Sequence, residues 1–220
     1  MSNRNADPAG GAPRRNLFAR FAGATALGLT AWLPARAGAQ PHPDHDDTDW
    51  PGKLPGRHRM LIDGYDVSGG APLDFGHNFL ASFASPSAAN VVIVLRAGAL
   101  PIALNSEIWA KYKIGESFQI DDPETHAPAV KNPFLHAKPG VLRADAMAVD
   151  RLLTAGAIFG ACNVALQGQS GRLAHNAGVT AEAAAKEWAA NVIPGITVIS
   201  SGVWGVNRAQ EVGCTYCAGS

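Results

Sequence analysis

Hydrophobic positions recur along the chain in two alternating patterns. Short continuous apolar runs are separated by longer stretches with apolar residues every third or fourth position. Asn90-Val91-Val92-Ile93-Val94-Leu95 is the clearest run. It is brief and rich in β-branched residues, as expected for a strand buried on both faces. Arg59–Tyr65, Ala157–Cys162 and Gly195–Ile199 have the same character and predict further strands. Between them, Leu73, Phe75, Leu80 and Phe83 form a rough helical stripe. Pro101 opens a predicted helix reaching Tyr112, since proline is tolerated in a first helical turn. Arg143–Ala155 carries Ala146, Val149, Leu152 and Leu153 on one side. Thr180 is placed to cap a helix over 181–192, and a last helix is predicted over 202–211. Cys214–Cys217 then ends the chain as a short strand or tail. Residues 115–140 contain four prolines and predict an irregular excursion, of the kind that forms an active-site lid or an edge. Strands alternating with helices predict an α/β fold: a three-layer, doubly wound, flavodoxin-like parallel sheet of about five strands.

The N-terminal part has a different organisation. Arg14-Arg15 precede Leu17-Phe18, an apolar run from Phe21 to Leu33, and the small-residue stretch Ala35-Arg36-Ala37-Gly38-Ala39. Basic, apolar and small-residue regions in this order constitute a secretory signal. The arginine pair points to the twin-arginine route. Residues 1–39 are therefore expected to be a signal peptide cleaved after Ala39, with delivery to the periplasm. The apolar run is shorter than the roughly 20 residues a membrane-spanning helix needs, so no membrane association is expected after cleavage. Residues 40–59 read as a flexible linker, with Pro41, Pro43, Pro51 and Pro55 and the polar run His42-Pro43-Asp44-His45-Asp46-Asp47. The histidines and aspartates are suitable transition-metal ligands, which keeps a periplasmic metal-binding reading open. Residues 60–220 form the folded domain.

Composition narrows the function. Hydrophobic residues are 47% and charged residues 16% of the 220-residue chain, which excludes a disordered polyelectrolyte. Formal net charge is +0. Because the arginines concentrate in residues 1–39, the remainder is mildly acidic and lacks the basic footprint of nucleic-acid binding. Gly168-Gln169-Ser170-Gly171 lacks dinucleotide or P-loop spacing. No cofactor is expected, and neither a nucleophile elbow nor a His-Glu-x-x-His metal helix occurs.

The candidate chemistry lies in three cysteines. Cys162 falls at the predicted carboxyl end of a strand, the edge where open α/β sheets bind ligands. If a helical turn begins at Asn163, its free amides and dipole stabilise a thiolate there, the species that attacks sulfane sulfur. The opposing reading makes Cys162 a small core hydrophobe among Ile158, Phe159, Ala161, Val164 and Leu166. Cys214-Thr215-Tyr216-Cys217 reads as a redox dithiol, half of a metal site, a structural disulfide, or a mobile thiol arm visiting Cys162. Asn105 and Glu107 follow the strong strand and are expected on the Cys162 edge with Asn163. His77, Asn78 and Trp204 are further candidates to approach it.

Four segments resemble the DsrE/DsrF-like family. They are Leu61–Tyr65 leading to Leu73-Asp74-Phe75 and Asn78-Phe79-Leu80; Val91–Leu95 with Ala103-Leu104-Asn105 and Trp109–Tyr112; Phe159–Leu166; and Val198–Val203 with Ala209–Gly213 and Tyr216. The resemblance spans residues 60–216 and implies a DsrEFH-like sheet. It further implies a sulfur carrier or relay with a persulfide on a strand-end cysteine, here Cys162; Cys214 or Cys217 is expected to resolve or receive it. A sulfur donor or acceptor, either a protein or a small sulfur compound, and a homo-oligomer are implied as partners. The cysteine pair at the C-terminus departs from the family's usual ending. The competing reading is a non-enzymatic binding or assembly domain with a structural C-terminal disulfide.

Overall fold

The computed structural model describes residues 49–136 and 142–219. The expected signal peptide and the His/Asp run at 42–47 lie outside the described residues. The division of the chain falls at residue 41, and everything below concerns the unit that follows it.

Five strands form one all-parallel sheet: β1 (His58–Gly64), β2 (Ala89–Leu95), β3 (Ile158–Cys162), β4 (Ile196–Ile199) and β5 (Thr215–Ala218), in the order β4-β3-β2-β1-β5. The α/β class and strand number match the sequence pattern. Val91–Leu95 are fully buried, which accounts for the unbroken apolar run. The helices are α1 (Ala71–Ala81), α2 (Glu107–Tyr112), α3 (Ile114–Phe118), α4 (Val149–Thr154), α5 (Asn163–Leu173), α6 (Ala181–Ala190) and α7 (Gly202–Glu211).

Strand order determines which face each helix covers. From β1 to β4 every crossover steps in the same direction, so right-handed connections keep their helices on one face. That face buries Ile62, Ile93 and Phe159 against Leu73 of α1, Trp109 of α2, Leu152 of α4, Leu166 of α5 and Trp188 of α6. The last connection returns from β4 to the far edge beside β1, so α7 crosses the opposite face. There Leu61, Val92, Val94 and Ile199 pack with Ala209 of α7 and with Trp50 and Leu54.

Several expectations change at this level. The predicted linker over 40–59 is corrected at its end, where Trp50 and Leu54 are 6% and 5% exposed and seal the α7 face. Trp50 donates its indole N–H to the Phe159 carbonyl (3.4 Å) and lies 6.1 Å from the Trp204 ring. The helix expected from Pro101 is instead a 3-10 segment over Ala97–Ala103 followed by α2 from Glu107. The helix expected over 143–155 is a 3-10 turn, Asp145–Met147, followed by α4 from Val149. Thr180 caps α6 as expected, its hydroxyl oxygen accepting the Ala183 N–H at 3.2 Å. Among the described residues no helix is long and apolar enough to cross a membrane.

Candidate functional site

Cys162 is the last residue of β3 and the N-cap of α5. Its φ and ψ of −67° and 114° are extended, and its Sγ accepts the Ala165 N–H at 3.3 Å. The sulfur therefore occupies the capping position that a serine or aspartate oxygen commonly takes, at the positive end of an 11-residue helix. The helical turn on which the thiolate reading is conditional is present as the start of α5, a helix the sequence pattern does not predict. Cys162 is nevertheless only 5% exposed.

Cys162 pairs in register with Ile199, the last residue of β4. The chain leaves β3 toward the α5 face and leaves β4 toward the α7 face. The two connections diverge, so this pair of strand ends is the sheet's topological switch point, the crevice where open α/β folds bind ligands. Ser201 caps α7, with its Oγ accepting the Trp204 N–H at 3.2 Å. Two helix amino ends thus flank the strand ends.

A cluster of charged and aromatic groups occupies the same carboxyl edge. Leu95 is in register with Ala161, so Arg96 and Cys162 are the next positions on neighbouring strands. Arg96 donates through Nε and Nη2 to the two carboxylate oxygens of Asp63, at 2.6 and 2.8 Å. Asp63 is 4% exposed, and burial of a carboxylate in a strand requires such a partner. Tyr216 on β5 donates its hydroxyl to Asp63 Oδ2 at 3.0 Å. The carboxylate, a better acceptor of an O–H than of a phenolate's charge, holds the Tyr216 hydroxyl above the ordinary tyrosine range. The same carboxylate, chiefly by its hydrogen bonds, raises the Arg96 guanidinium further above its already high value. Tyr65 covers the guanidinium, 4.7 Å from ring centre to Cζ. On the other side, a Cβ added to Gly202 would stand 2.6 Å from Arg96 Cβ, so glycine there lets the arginine stem lie against the start of α7. Ala97, immediately after Arg96, has φ 45°. Left-handed backbone at a non-glycine residue costs on the order of 1 kcal/mol.

The other predicted residues are placed elsewhere. Asn163 begins α5, is buried, and its Oδ1 accepts Gln167 Nε2 at 3.3 Å, so it adjoins Cys162 as a helix-stabilising group. Asn105 is corrected. The 3-10 segment after β2 carries the chain back across the sheet, and Asn105 donates its N–H to the Asn191 carbonyl, before the amino end of β4. Its Oδ1 accepts the Glu107 N–H at 3.0 Å, a turn role for both residues. His77 and Asn78 sit midway along α1, where Asn78 bonds Asp74.

The cysteine pair is separated by the geometry of β5. All three cysteines are free. Cys214 packs with the α7-face cluster, whereas Cys217 packs against the cluster on the opposite face. Residues three apart on an extended strand point to opposite sides, and a disulfide needs Cα atoms 4.4–6.8 Å apart. The expected structural disulfide is therefore incompatible with β5 in its ladder with β1. Neither thiol meets Cys162. Cys217 lies three strands away, roughly 14 Å across the sheet, and Cys214 lies at the opposite, amino end. Burial pushes the Cys214 thiol up to about 11.

Cys162 lines neither of the two cavities that follow. One of about 570 Å³ runs between α1 and α4 and includes His77, Leu80 and Arg151. Another of about 480 Å³ is lined by Val67, Gln119, Asp121, His126 and Phe134. Sequence reasoning missed Arg96 and the role of Asp63. A carboxylate inside the apolar run Leu61-Ile62-Asp63 was the available signal, because such a group must be paired.

No family model matches the chain, and no curated protein matches it. Among solved structures, it is similar to the protein of unknown function MTH1491 from Methanobacterium thermoautotrophicum, at 16% identity and a TM-score of 0.40, covering 73% of this chain and 98% of that one.

Proposed function

We propose that this chain is an exported sulfur carrier of the DsrE-like kind, delivered to the periplasm by the twin-arginine route, with Cys162 holding sulfane sulfur as a persulfide. The supporting observation is the position of Cys162 Sγ at the switch point, accepting the Ala165 N–H at the amino end of α5. The Ala165 N–H and the amino end of α5 present a donor and positive partial charge to this sulfur. In the loading step the Cys162 thiol first gives its proton to solvent. Its thiolate then attacks the outer sulfur of a donor R–S–SH. A new S–S bond forms, the donor's S–S bond breaks, and R–S⁻ leaves with the bonding electron pair, so no net oxidation occurs. Arg96, at the neighbouring strand end, turns its guanidinium to Asp63 on β1. Because Cys214 and Cys217 stand away from Cys162, unloading goes to a thiol on another molecule.

Cyanolysis, which counts sulfane sulfur as thiocyanate, tests this reading on the full chain after incubation with a small organic persulfide. One equivalent is expected in the wild type, in Cys214→Ala and in Cys217→Ser, with none in Cys162→Ser. Retention of the full equivalent in Cys162→Ser would exclude Cys162 as carrier.

The 5% exposure of Cys162 favours a second reading, a binding or assembly domain in which this thiol is core. Alkylation discriminates between them. A carrier thiol reacts with iodoacetamide in the folded protein, and a core thiol reacts only on unfolding.

A further inference from the structure

The edge strand β5 presents a pairing surface that its own chain leaves open. Gly219 donates its N–H to the Asp63 carbonyl at 2.9 Å. Backbone direction alternates along a strand, so residues 215, 217 and 219 face β1 while Tyr216 and Ala218 turn their N–H and C=O outward. β5 is the last strand on its side of the sheet, and among the described residues no backbone group pairs with those outward groups; the Ala218 carbonyl accepts only the Cys217 thiol of its own strand, at 3.5 Å. The strand carries no charge and no proline, two devices that ordinarily block edge pairing. Beside it stands a preorganised aromatic surface. Tyr216 and Tyr65 are 51% and 55% exposed, yet each is fixed through the Asp63–Arg96 pair. Rigid exposed tyrosine is typical of protein interfaces.

We infer that β5 pairs antiparallel with β5 of a second copy about a twofold axis, joining two sheets into one. Antiparallel self-pairing is self-complementary, since each copy supplies the same donors and acceptors. The register follows from the outward groups. Pairing Tyr216 with the partner's Ala218, and Ala218 with the partner's Tyr216, matches the outward residues of β5 to one another in each copy. That register sets Cys217 directly opposite the same cysteine of the second copy, as a non-hydrogen-bonded pair. Cα atoms in such pairs are about 4.5 Å apart, within the range a disulfide spans. Cys217 is partly exposed, whereas Cys162 and Cys214 are buried.

The test uses the full chain with copper(II)-phenanthroline as oxidant, which takes two electrons as two Cys217 thiols lose two protons and form one S–S bond. Light scattering of the reduced protein at micromolar concentration is expected to give twice the chain mass. Brief oxidation is expected to yield a reducible covalent dimer that Cys162→Ser retains and Cys217→Ser lacks. Ala218→Pro removes an outward N–H without touching the ladder to β1, and is expected to give a monomer. Should that variant fold poorly, as judged by its melting transition, Cys217→Lys serves instead, placing a like-charged pair across the axis. A monomeric wild type at 100-fold higher concentration, or a dimer unaffected by both variants, overturns the inference. None of these outcomes depends on Cys162 carrying sulfur.

Discussion

Arg96 grips Asp63 with two hydrogen bonds, 2.6 and 2.8 Å long, from the end of one central strand to the end of its neighbour. The pair fixes the carboxyl edge of the sheet on the α7 face. It anchors Tyr216 of β5, carries Tyr65, and lays the arginine stem on the first residue of α7. Arg96→Met removes the guanidinium and leaves a buried carboxylate with Tyr216 as its remaining side-chain partner. Breaking a buried pair this way costs about 3–5 kcal/mol; Arg96 is partly exposed, so the expected loss lies near the lower end. Urea denaturation of Arg96→Met, Asp63→Asn and the double variant Arg96→Met/Asp63→Leu checks this. The double variant is expected to lose less than Arg96→Met alone.

Gly160 sits under Trp50. A Cβ there would meet Trp50 Cζ2 at 2.7 Å and Ile199 Cδ1 at 2.9 Å. Gly160→Ala therefore overpacks the α7 face, with an expected loss of about 1–3 kcal/mol. Trp50→Ala leaves a cavity instead, costing about 3–5 kcal/mol. In the double variant the small residue fills part of the space left by tryptophan, so the two costs are expected to fall short of additivity. Thermal or urea unfolding of the three proteins measures that coupling.

Cys214 gives a stability change with a definite sign. Burial raises its folded-state pKa from the ordinary value near 9 to about 11. The thiol stays neutral in the folded chain while the unfolded chain ionises first. Its contribution is fully present below pH 9 and is lost as pH rises from 9 to 11, amounting to roughly 1–3 kcal/mol. Cys214→Ala is expected to lessen the fall in stability across that interval. An unchanged slope in urea titrations at pH 8, 9, 10 and 11 would contradict it.

Tyr216→Phe deletes only the hydroxyl donated to Asp63. The expected loss is about 1–2 kcal/mol, since the acceptor is charged but the tyrosine is half exposed. Its near-ultraviolet circular dichroism and urea midpoint report whether the aromatic edge remains ordered.

The strands were legible in the sequence because they depend on local pattern, whereas α5 was not. Val91–Leu95 is unbroken because both faces are buried, while Asn163–Leu173, with two glycines and no clear apolar stripe, gives little local sign of its helix. The failures involve tertiary placement. Asn105 follows β2 in sequence, but the 3-10 path from Ala97 to Ala103 delivers it to the far end of the sheet. The cysteine pair has a spacing that suggests a disulfide, but pairing of β5 with β1 forces the two thiols onto opposite faces. Trp50 lies in a proline-rich stretch without periodicity, and its pocket is made by glycines distant in sequence, at positions 160 and 205. Arg96 has no local pattern at all; it becomes visible once Asp63 is known to be buried.

The central claim is that Cys162, and neither of the other cysteines, carries sulfur. Site-resolved peptide mass spectrometry of the full chain, after exposure to a small organic persulfide, tests it most directly. The account predicts one added sulfur atom on the Cys162 peptide, removed by dithiothreitol, and none on Cys214. An unmodified Cys162 peptide, with sulfur on Cys217 alone or on no cysteine, would contradict the account and leave the binding-domain reading in its place.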